Sequence, residues 1–110
     1  MDKVTKESIL VKLDEILANR KESISDESYV ASLYEKGNNY MNGKILEEAN
    51  ELTDAIKNED RDHIIHEVAD LWFHCLVSLS FNGITSQDVL NELNKRFGLS
   101  GLEEKKLRNK

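Results

Sequence analysis

The sequence contains no proline, and glycine occurs only five times among its 110 residues. Aromatic residues make up 6% of the chain, and its single cysteine, Cys75, excludes an internal disulfide framework. Because β-sandwiches depend on frequent turn residues, this composition favours an all-α fold. The cysteine usage is typical of a reducing compartment, so we expect a cytoplasmic protein.

Long apolar segments and an excess of positive charge are also missing. The longest apolar run, Leu71 to Leu79, is interrupted by His74 and Ser78, and it is shorter than the roughly 20 residues that a membrane helix requires. The first residues, MDKVTKESIL, are charged and show no secretory signal. With 15 basic and 21 acidic side chains the net charge is -6, which argues against nucleic acid as a partner. An anionic ligand would therefore need help from a cation.

The length suits a single domain over residues 1–110, with a helical core at about 5–97 and a basic tail at 99–110. Apolar spacing predicts five helices, at about 5–19, 28–36, 39–57, 61–81 and 86–97, with a polar loop at 21–27. Thr85 and Asp88 are spaced as a capping box for the last helix. We predict a small antiparallel helical bundle.

The fourth predicted helix is apolar almost all round from Val68 to Leu79. Such a helix needs cover on more than one side, and a bundle this small obtains it most easily by forming a homodimer. The alternative is a central helix wrapped by its own neighbours. In either case we expect Trp72, Phe73 and Cys75 to belong to the core.

Acidic residues form two pairs on consecutive helices. At about 100° per residue, Glu48 and Glu51 lie on one side of the third helix beside its apolar stripe, while Glu47 points away from the centre of that stripe. Glu67 and Asp70 share a side of the fourth helix, and Asp70 should be buried because it lies within the apolar segment Val68 to Leu79. Since the two helices are joined by a short turn, they run antiparallel and the pairs converge. Clustered carboxylates in such a place imply a compensating cation.

An all-oxygen shell of four carboxylates suits Mg²⁺, with Mn²⁺ as a substitute, better than Zn²⁺. A solvated acidic helix face is the simpler alternative. A di-iron bundle would need Glu-x-x-His, which neither acidic pair provides. His63 and His66 have no recognisable zinc spacing and are interpreted as surface residues or outer partners of the site. His74 could orient a carboxylate, bind substrate, or be a hydrogen-bonded core residue.

Four segments resemble one enzyme family: YEKG at 34–37, KILEEANE at 44–51, HEVADLWFHCLVSL at 66–79 and NKRFGLSGLEEK at 94–105. The similarity, over residues 28–105, is to phosphoribosyl-ATP pyrophosphohydrolases, members of the MazG-like all-α nucleoside triphosphate pyrophosphohydrolases. Their signature, Glu-Glu-x-x-Glu followed by Glu-x-x-Asp, corresponds here to residues 47, 48, 51, 67 and 70. The chain departs from the family pattern at Tyr40, where a lysine is usual, and at Leu46, where a glycine is usual.

The resemblance implies Mg²⁺-dependent hydrolysis of the α–β phosphoanhydride of phosphoribosyl-ATP, the second step of histidine biosynthesis. The expected metal ligands are Glu48, Glu51, Glu67 and Asp70, and the expected general base is Glu47 or Glu48. Candidate substrate-binding residues are Lys36, Lys44, Lys95, Arg96, Lys105 and His74. Two other functions stay open: a general pyrophosphohydrolase acting on (deoxy)nucleoside triphosphates, and a non-catalytic acidic module that binds a partner protein.

Overall fold

A computed structural model describes residues 8–23 and 28–98. Throughout those ranges the regular structure is helical, which confirms the predicted all-α class and five helices. In chain order they are α1 (Ser8–Asn19), a 3-10 turn (Arg20–Glu22), α2 (Tyr29–Lys36), α3 (Asn38–Lys57), α4 (Arg61–Phe81) and α5 (Ser86–Phe97). The predicted start of α1 near Thr5 and the tail at 99–110 lie outside the described residues. The segment predicted as a loop at 21–27 begins with the 3-10 turn.

The α3 and α4 helices form an antiparallel hairpin with the most extensive helix contact in the described structure. The turn between them is closed by Glu59, whose φ of 54° lies in the left-handed region. Asp60 then caps α4 by accepting a hydrogen bond from the His63 backbone N–H at 3.3 Å. At the other end of the hairpin, the Asn82 side-chain amide donates to Asn38 Oδ1 at 3.0 Å. Both acidic pairs are therefore held on one rigid unit.

The buried core lies where α1, α2, α3 and α4 meet. The Tyr34 hydroxyl donates to the Leu17 carbonyl at 2.9 Å, and its ring stacks on Phe81 with centroids 5.5 Å apart. Phe73 packs against the same cluster, as predicted. Gly37, with φ of 88°, ends α2 and lets the chain turn directly into α3. The buried cluster comprises Leu17, Val30, Leu33, Tyr34, Met41 and Val77.

The α5 helix is anchored to α1 by a carboxylate. Asp14 accepts hydrogen bonds from the Ser86 backbone N–H at 2.8 Å and from the Ser86 hydroxyl at 2.6 Å. A negative charge is favourable there because the amino end of a helix carries partial positive charge. The predicted capping box of Thr85 and Asp88 is confirmed at the same helix end.

One side of α4 is uncovered, and the prediction that Trp72 belongs to the core is wrong for the single chain. Its side chain is 63% exposed because α3 covers the opposite side of α4 and α5 leaves a gap beside it. Cys75 is partly buried on the wall of that gap, where burial raises the pKa of its thiol. The gap is an apolar groove of about 310 Å³. It is lined by Leu10, Trp72, Cys75, Leu76, Leu79, Ser86, Val89, Leu90 and Leu93.

Candidate metal centre

The α3 helix presents the first acidic pair towards α4. Glu48 is 8% exposed, and Glu51, one turn further on, lies at the solvent-facing edge of the same site. Glu47 points outwards, as predicted, and accepts a hydrogen bond from Lys44 Nζ at 3.2 Å. This difference follows from helical spacing, since positions i and i+3 share a face and position i−1 lies about 100° away.

The α4 helix supplies the opposing carboxylate, Glu67, which is 6% exposed. One oxygen from each of Glu48, Glu51 and Glu67 lies within 4.8 Å of the others. A six-coordinate Mg²⁺ with bonds of about 2.1 Å separates its ligand atoms by about 3 to 4.2 Å. The three carboxylates therefore fit a single hard cation after small side-chain adjustments.

Asp70 belongs to a second group, in which its carboxylate, Glu67 and His66 offer ligand atoms within 4.8 Å of one another. The predicted burial of Asp70 is wrong, because its side chain is 40% exposed. The reason is its position on α4: it stands at the edge of the interface with α3, where the apolar residues adjacent in sequence point to other sides of the helix. Glu67 is common to both groups and links them.

Two buried oxygens mark the centre of the site. Glu48 Oε2 and Glu67 Oε2 are shielded from solvent and have no hydrogen-bond partner in the described part of the chain. An unpaired buried polar atom costs roughly 1–3 kcal/mol, and more when it is charged. Together with the adjacent Glu51 carboxylate, these oxygens form a negatively charged group of oxygen ligands. A divalent cation bound there would neutralise the charge and coordinate the unpaired oxygens.

The same crowding acts on Glu51. A hydrogen bond with Glu67 and the negative charge of Glu48 raise the pKa of Glu51 from 4.5 to about 7. Near neutral pH the metal-free cluster therefore retains a proton that a bound cation would displace.

Histidines surround the acidic cluster on α4. His63 Nε2 lies 3.1 Å from Glu67 Oε1, and His66 Nε2 lies 3.2 Å from Asp70 Oδ2. His74 is buried; its Nδ1 donates to the Asp70 carbonyl at 2.9 Å, and its Nε2 lies 3.2 Å from the Tyr29 hydroxyl. Both His74 nitrogens are thus engaged, an arrangement expected of a hydrogen-bonded core histidine.

The predicted substrate-binding cations fall into two sets. Lys36 lies at the end of α2 and Lys44 on α3, with Lys36 Nζ 4.4 Å from the centre of the Tyr40 ring. The hydrogen bond with Glu47 is the main reason that the pKa of Lys44 is raised. Lys95 and Arg96 lie on α5, the helix that faces the groove, and Arg96 Nε donates to Glu92 at 2.9 Å.

These two sets are separated by α4. Trp72, which lines the groove, is about 140° around α4 from Glu67 at 3.6 residues per turn. Lys44 lies on the same helix as Glu48 and Glu51, whereas Lys95 and Arg96 lie on α5, which borders the groove on the other side of α4. The fifth predicted cation, Lys105, lies outside the described residues.

One contact of the site was not predicted from the sequence. Tyr29 is 45 positions from His74, and an isolated tyrosine at the start of a helix gives no signal of that pairing. For His63 and His66, in contrast, the i, i+4 spacing to Glu67 and Asp70 was available as a signal.

Known proteins that are similar to this chain belong to one enzyme family. The sequence profile of the family "Phosphoribosyl-ATP pyrophosphohydrolase" matches residues 10–97. A phosphoribosyl-ATP pyrophosphatase of Vesicomyosocius okutanii is 52% identical over 103 residues, covering 94% of this chain and 98% of the relative. That of Ruthia magnifica is 52% identical, covering 92% and 96%, and that of Neisseria gonorrhoeae is 43% identical, covering 93% and 95%. The chain belongs to the phosphoribosyl-ATP pyrophosphohydrolase family.

Proposed function

We propose that this protein hydrolyses the α–β phosphoanhydride of phosphoribosyl-ATP to give phosphoribosyl-AMP and pyrophosphate, the second step of histidine biosynthesis. Two relatives that are 52% identical to this chain are named phosphoribosyl-ATP pyrophosphatases, and the similarity covers 98% and 96% of their lengths. The structural observation that supports it most strongly is the pair of buried, unpartnered oxygens of Glu48 and Glu67. An acidic helix face serving solubility alone would have no reason to bury them.

The proposed cofactor is Mg²⁺, for which Mn²⁺ could substitute. Glu48, Glu51, Glu67 and Asp70 would hold it, and the grouping of their oxygens around Glu67 supports this ligand set. A bound dication supplies neutralisation of the negative charge that phosphate oxygens carry in phosphoryl transfer.

Glu47 is the proposed general base that accepts the proton of the attacking water. Glu48 is enclosed between the helices, whereas Glu47 is exposed and lies one turn before Glu51 on α3. Lys44, 3.2 Å from Glu47 Oε2, holds that carboxylate in place. A base that is not a metal ligand keeps its lone pairs available for the proton.

Lys44 and Lys36 are proposed to hold the substrate's phosphates. Lys44 is seven residues before Glu51 and therefore on the same side of α3. Lys36 stands above the Tyr40 ring, so the position at which the family usually has a lysine presents a cation carried by the neighbouring helix. The chain thus has a positive charge beside Tyr40 despite that departure from the family pattern.

A homodimer is the proposed assembly, and the apolar groove between α4 and α5 is the proposed interface. The occupant that we propose is a second copy of this chain, because the same surface carries both an exposed projection, Trp72, and the apolar recess beside it. Two such surfaces related by a two-fold axis insert each projection into the opposite recess. The exposed apolar residues of α5, Val89, Leu90, Leu93 and Phe97, would be covered at the same time.

The proposed location is the cytoplasm, with no membrane or nucleic-acid partner. By length and composition α4 could cross a membrane. However, Glu67 and Asp70 lie within it, and an acidic side chain at the centre of a bilayer costs about 2.5–3.5 kcal/mol. The packing of α4 along α3 is the arrangement of a core helix.

Incubation with phosphoribosyl-ATP and Mg²⁺, with detection of pyrophosphate, tests the proposed function. We expect pyrophosphate release that is lost in Glu48→Gln and retained in Glu15→Gln, a matched change of an exposed glutamate on α1. Comparable turnover of ordinary deoxynucleoside triphosphates would favour the general pyrophosphohydrolase. Absence of both turnover and cation binding would favour the non-catalytic module.

A further inference from the structure

Tyr40 is an exposed aromatic side chain on the part of α3 that precedes the acidic cluster. It is 41% exposed, and helical spacing sets it on one stripe of α3 with three charged residues further along, Lys44, Glu47 and Glu51. We propose that the Tyr40 ring stacks on the purine of the substrate. This inference rests on the proposed function and identifies the part of the chain that binds the base of that same substrate.

The position of Tyr40 along α3 suits a nucleotide whose phosphates lie at the metal centre. Eight residues separate Tyr40 from Glu48, which corresponds to a rise of about 12 Å along the helix axis. Lys44 lies between them, one helical turn from each. The order of aromatic ring, ammonium group and carboxylates along α3 therefore follows the order of base, phosphates and cation in a bound nucleotide.

A second exposed tyrosine borders the same stretch of surface. Tyr29 is 54% exposed, and its hydroxyl lies 3.2 Å from His74 Nε2, which fixes its ring beside α4. A hydrogen bond with Glu47 is the main cause of the raised pKa of Lys44. The phenol groups of Tyr29 and Tyr40 add to that rise because both are close to the ammonium group. A cation bordered by aromatic rings is the combination that binds phosphates and stacks bases in nucleic-acid-binding proteins.

Lys36 contacts the Tyr40 ring from the end of α2. Its Nζ is 4.4 Å from the ring centre, a cation–π contact that restrains the ring, and the exposure of Tyr40 leaves the rest of the ring accessible to a base. The simpler explanation is that Tyr40 only holds Lys36, which would then bind the substrate by charge alone. The two explanations differ in whether the ring still matters once the Lys36 cation is removed.

Product inhibition distinguishes recognition of the base from recognition of phosphate, because phosphoribosyl-AMP contains the purine and pyrophosphate does not. In Tyr40→Leu, we expect the KM for phosphoribosyl-ATP and the inhibition constant of phosphoribosyl-AMP to rise about tenfold, the order expected for one base–aromatic stack. The kcat should change less than about twofold, since stacking is kept in the transition state, and the inhibition constant of pyrophosphate should stay the same.

Two further variants at this position show whether the ring itself is responsible. Tyr40→Phe is the matched control that keeps the ring, and it should equal the wild type in all of these constants. Tyr40→Lys introduces the residue that is usual in the family and should show the same loss as Tyr40→Leu, because it also lacks a ring.

The Lys36→Met variant decides between stacking and support of Lys36. Stacking predicts that adding Tyr40→Leu to Lys36→Met raises the KM by the same factor of about ten, because the ring contacts the base without the cation. No further rise in that double variant would mean that Tyr40 acts only through Lys36, and it would overturn the inference.

The outcomes separate this inference from the proposed function. Turnover of phosphoribosyl-ATP by the wild type with an unchanged KM in Tyr40→Leu and Tyr40→Lys would overturn the role of Tyr40 and leave the proposed function intact. An equal rise in the pyrophosphate inhibition constant would also overturn it, because the variant would then have disturbed the phosphate site. Absence of turnover by the wild type would overturn both proposals.

Discussion

Glu48 on α3 and Glu67 on α4 bring carboxylate oxygens within 4.8 Å of each other. Each also keeps one buried oxygen without a hydrogen-bond partner in the described part of the chain. In the metal-free protein this arrangement opposes folding, because two like charges are held in a place that water cannot solvate. A cation bound between α3 and α4 would explain why these two carboxylates are buried together.

Replacing Glu48 with glutamine should separate stability from activity. Without metal, the variant should unfold at a higher denaturant concentration, with a gain on the order of 1 kcal/mol, because repulsion in the cluster is relieved. Turnover should fall at least about 100-fold, because a metal ligand is lost. Urea titration in chelator and an assay of pyrophosphate release measure the two effects. Glu15→Gln should change neither, and full activity in Glu48→Gln would remove that residue from the site.

The raised pKa of Glu51 predicts that the metal-free protein loses stability as pH rises. Unfolding returns the Glu51 pKa from about 7 to its ordinary 4.5. Between those values the unfolded state releases a proton that the folded state retains, so ionisation favours unfolding. The melting temperature in chelator should therefore fall from pH 4.5 to pH 7 and then level off.

Glu51→Gln supplies the comparison for that experiment. Between pH 4.5 and pH 7, the melting temperature of the variant in chelator should fall less than that of the wild type. Added Mg²⁺ should raise the wild-type melting temperature most at the alkaline end, where no proton competes for the carboxylate. An equal slope in both proteins would assign the pH dependence to other groups.

Trp72 reports directly on the proposed dimer, because it is the only tryptophan in the chain. Its emission should be blue-shifted in the dimer and should move to longer wavelength on dilution, as the side chain returns to its 63% exposure in the single chain. Sedimentation should show the mass change over the same concentration range. Trp72→Ser should sediment as a monomer, whereas Leu46→Ser, a change of an exposed apolar residue on α3, should sediment as a dimer. An emission maximum and mass that stay those of a folded monomer at micromolar concentration would refute the dimer.

Asp14 is expected to contribute to stability but not to catalysis. Asp14→Ala removes two hydrogen bonds to Ser86 and should lower the free energy of unfolding by about 1.5–3 kcal/mol, the range for hydrogen bonds to a charged group. Urea unfolding of Asp14→Ala beside Glu15→Ala measures the difference at adjacent positions. A variant as stable as the control would mean that α5 is held by other contacts.

The helices and the first acidic group could be predicted because both depend on local spacing. Apolar periodicity set the bounds of α3 and α4 to within a residue, and the same 100° step placed Glu48, Glu51 and Glu67 on facing sides. Because a short turn joins α3 and α4, the two helices must run antiparallel.

The wrong predictions concern the burial of side chains, which depends on how the helices pack and is not encoded in local spacing. Trp72 and Asp70 both lie in the apolar segment Val68 to Leu79, yet Trp72 borders the groove and Asp70 lies at the edge of the α3 interface. Periodicity shows that α4 needs cover on several sides but not whether the same chain supplies it. The Asp14–Ser86 contact joins residues 72 positions apart, and neither residue carries a signal of its partner.

Calorimetric titration of Mg²⁺ into the wild type, Glu67→Gln and Glu15→Gln tests the shared metal centre most directly, because Glu67 is the one ligand common to both groups. We expect saturable binding with proton release in the wild type and in Glu15→Gln, and loss of that binding in Glu67→Gln. Equal Mg²⁺ affinity in all three proteins, or no binding in the wild type, would contradict a metal centre built between α3 and α4.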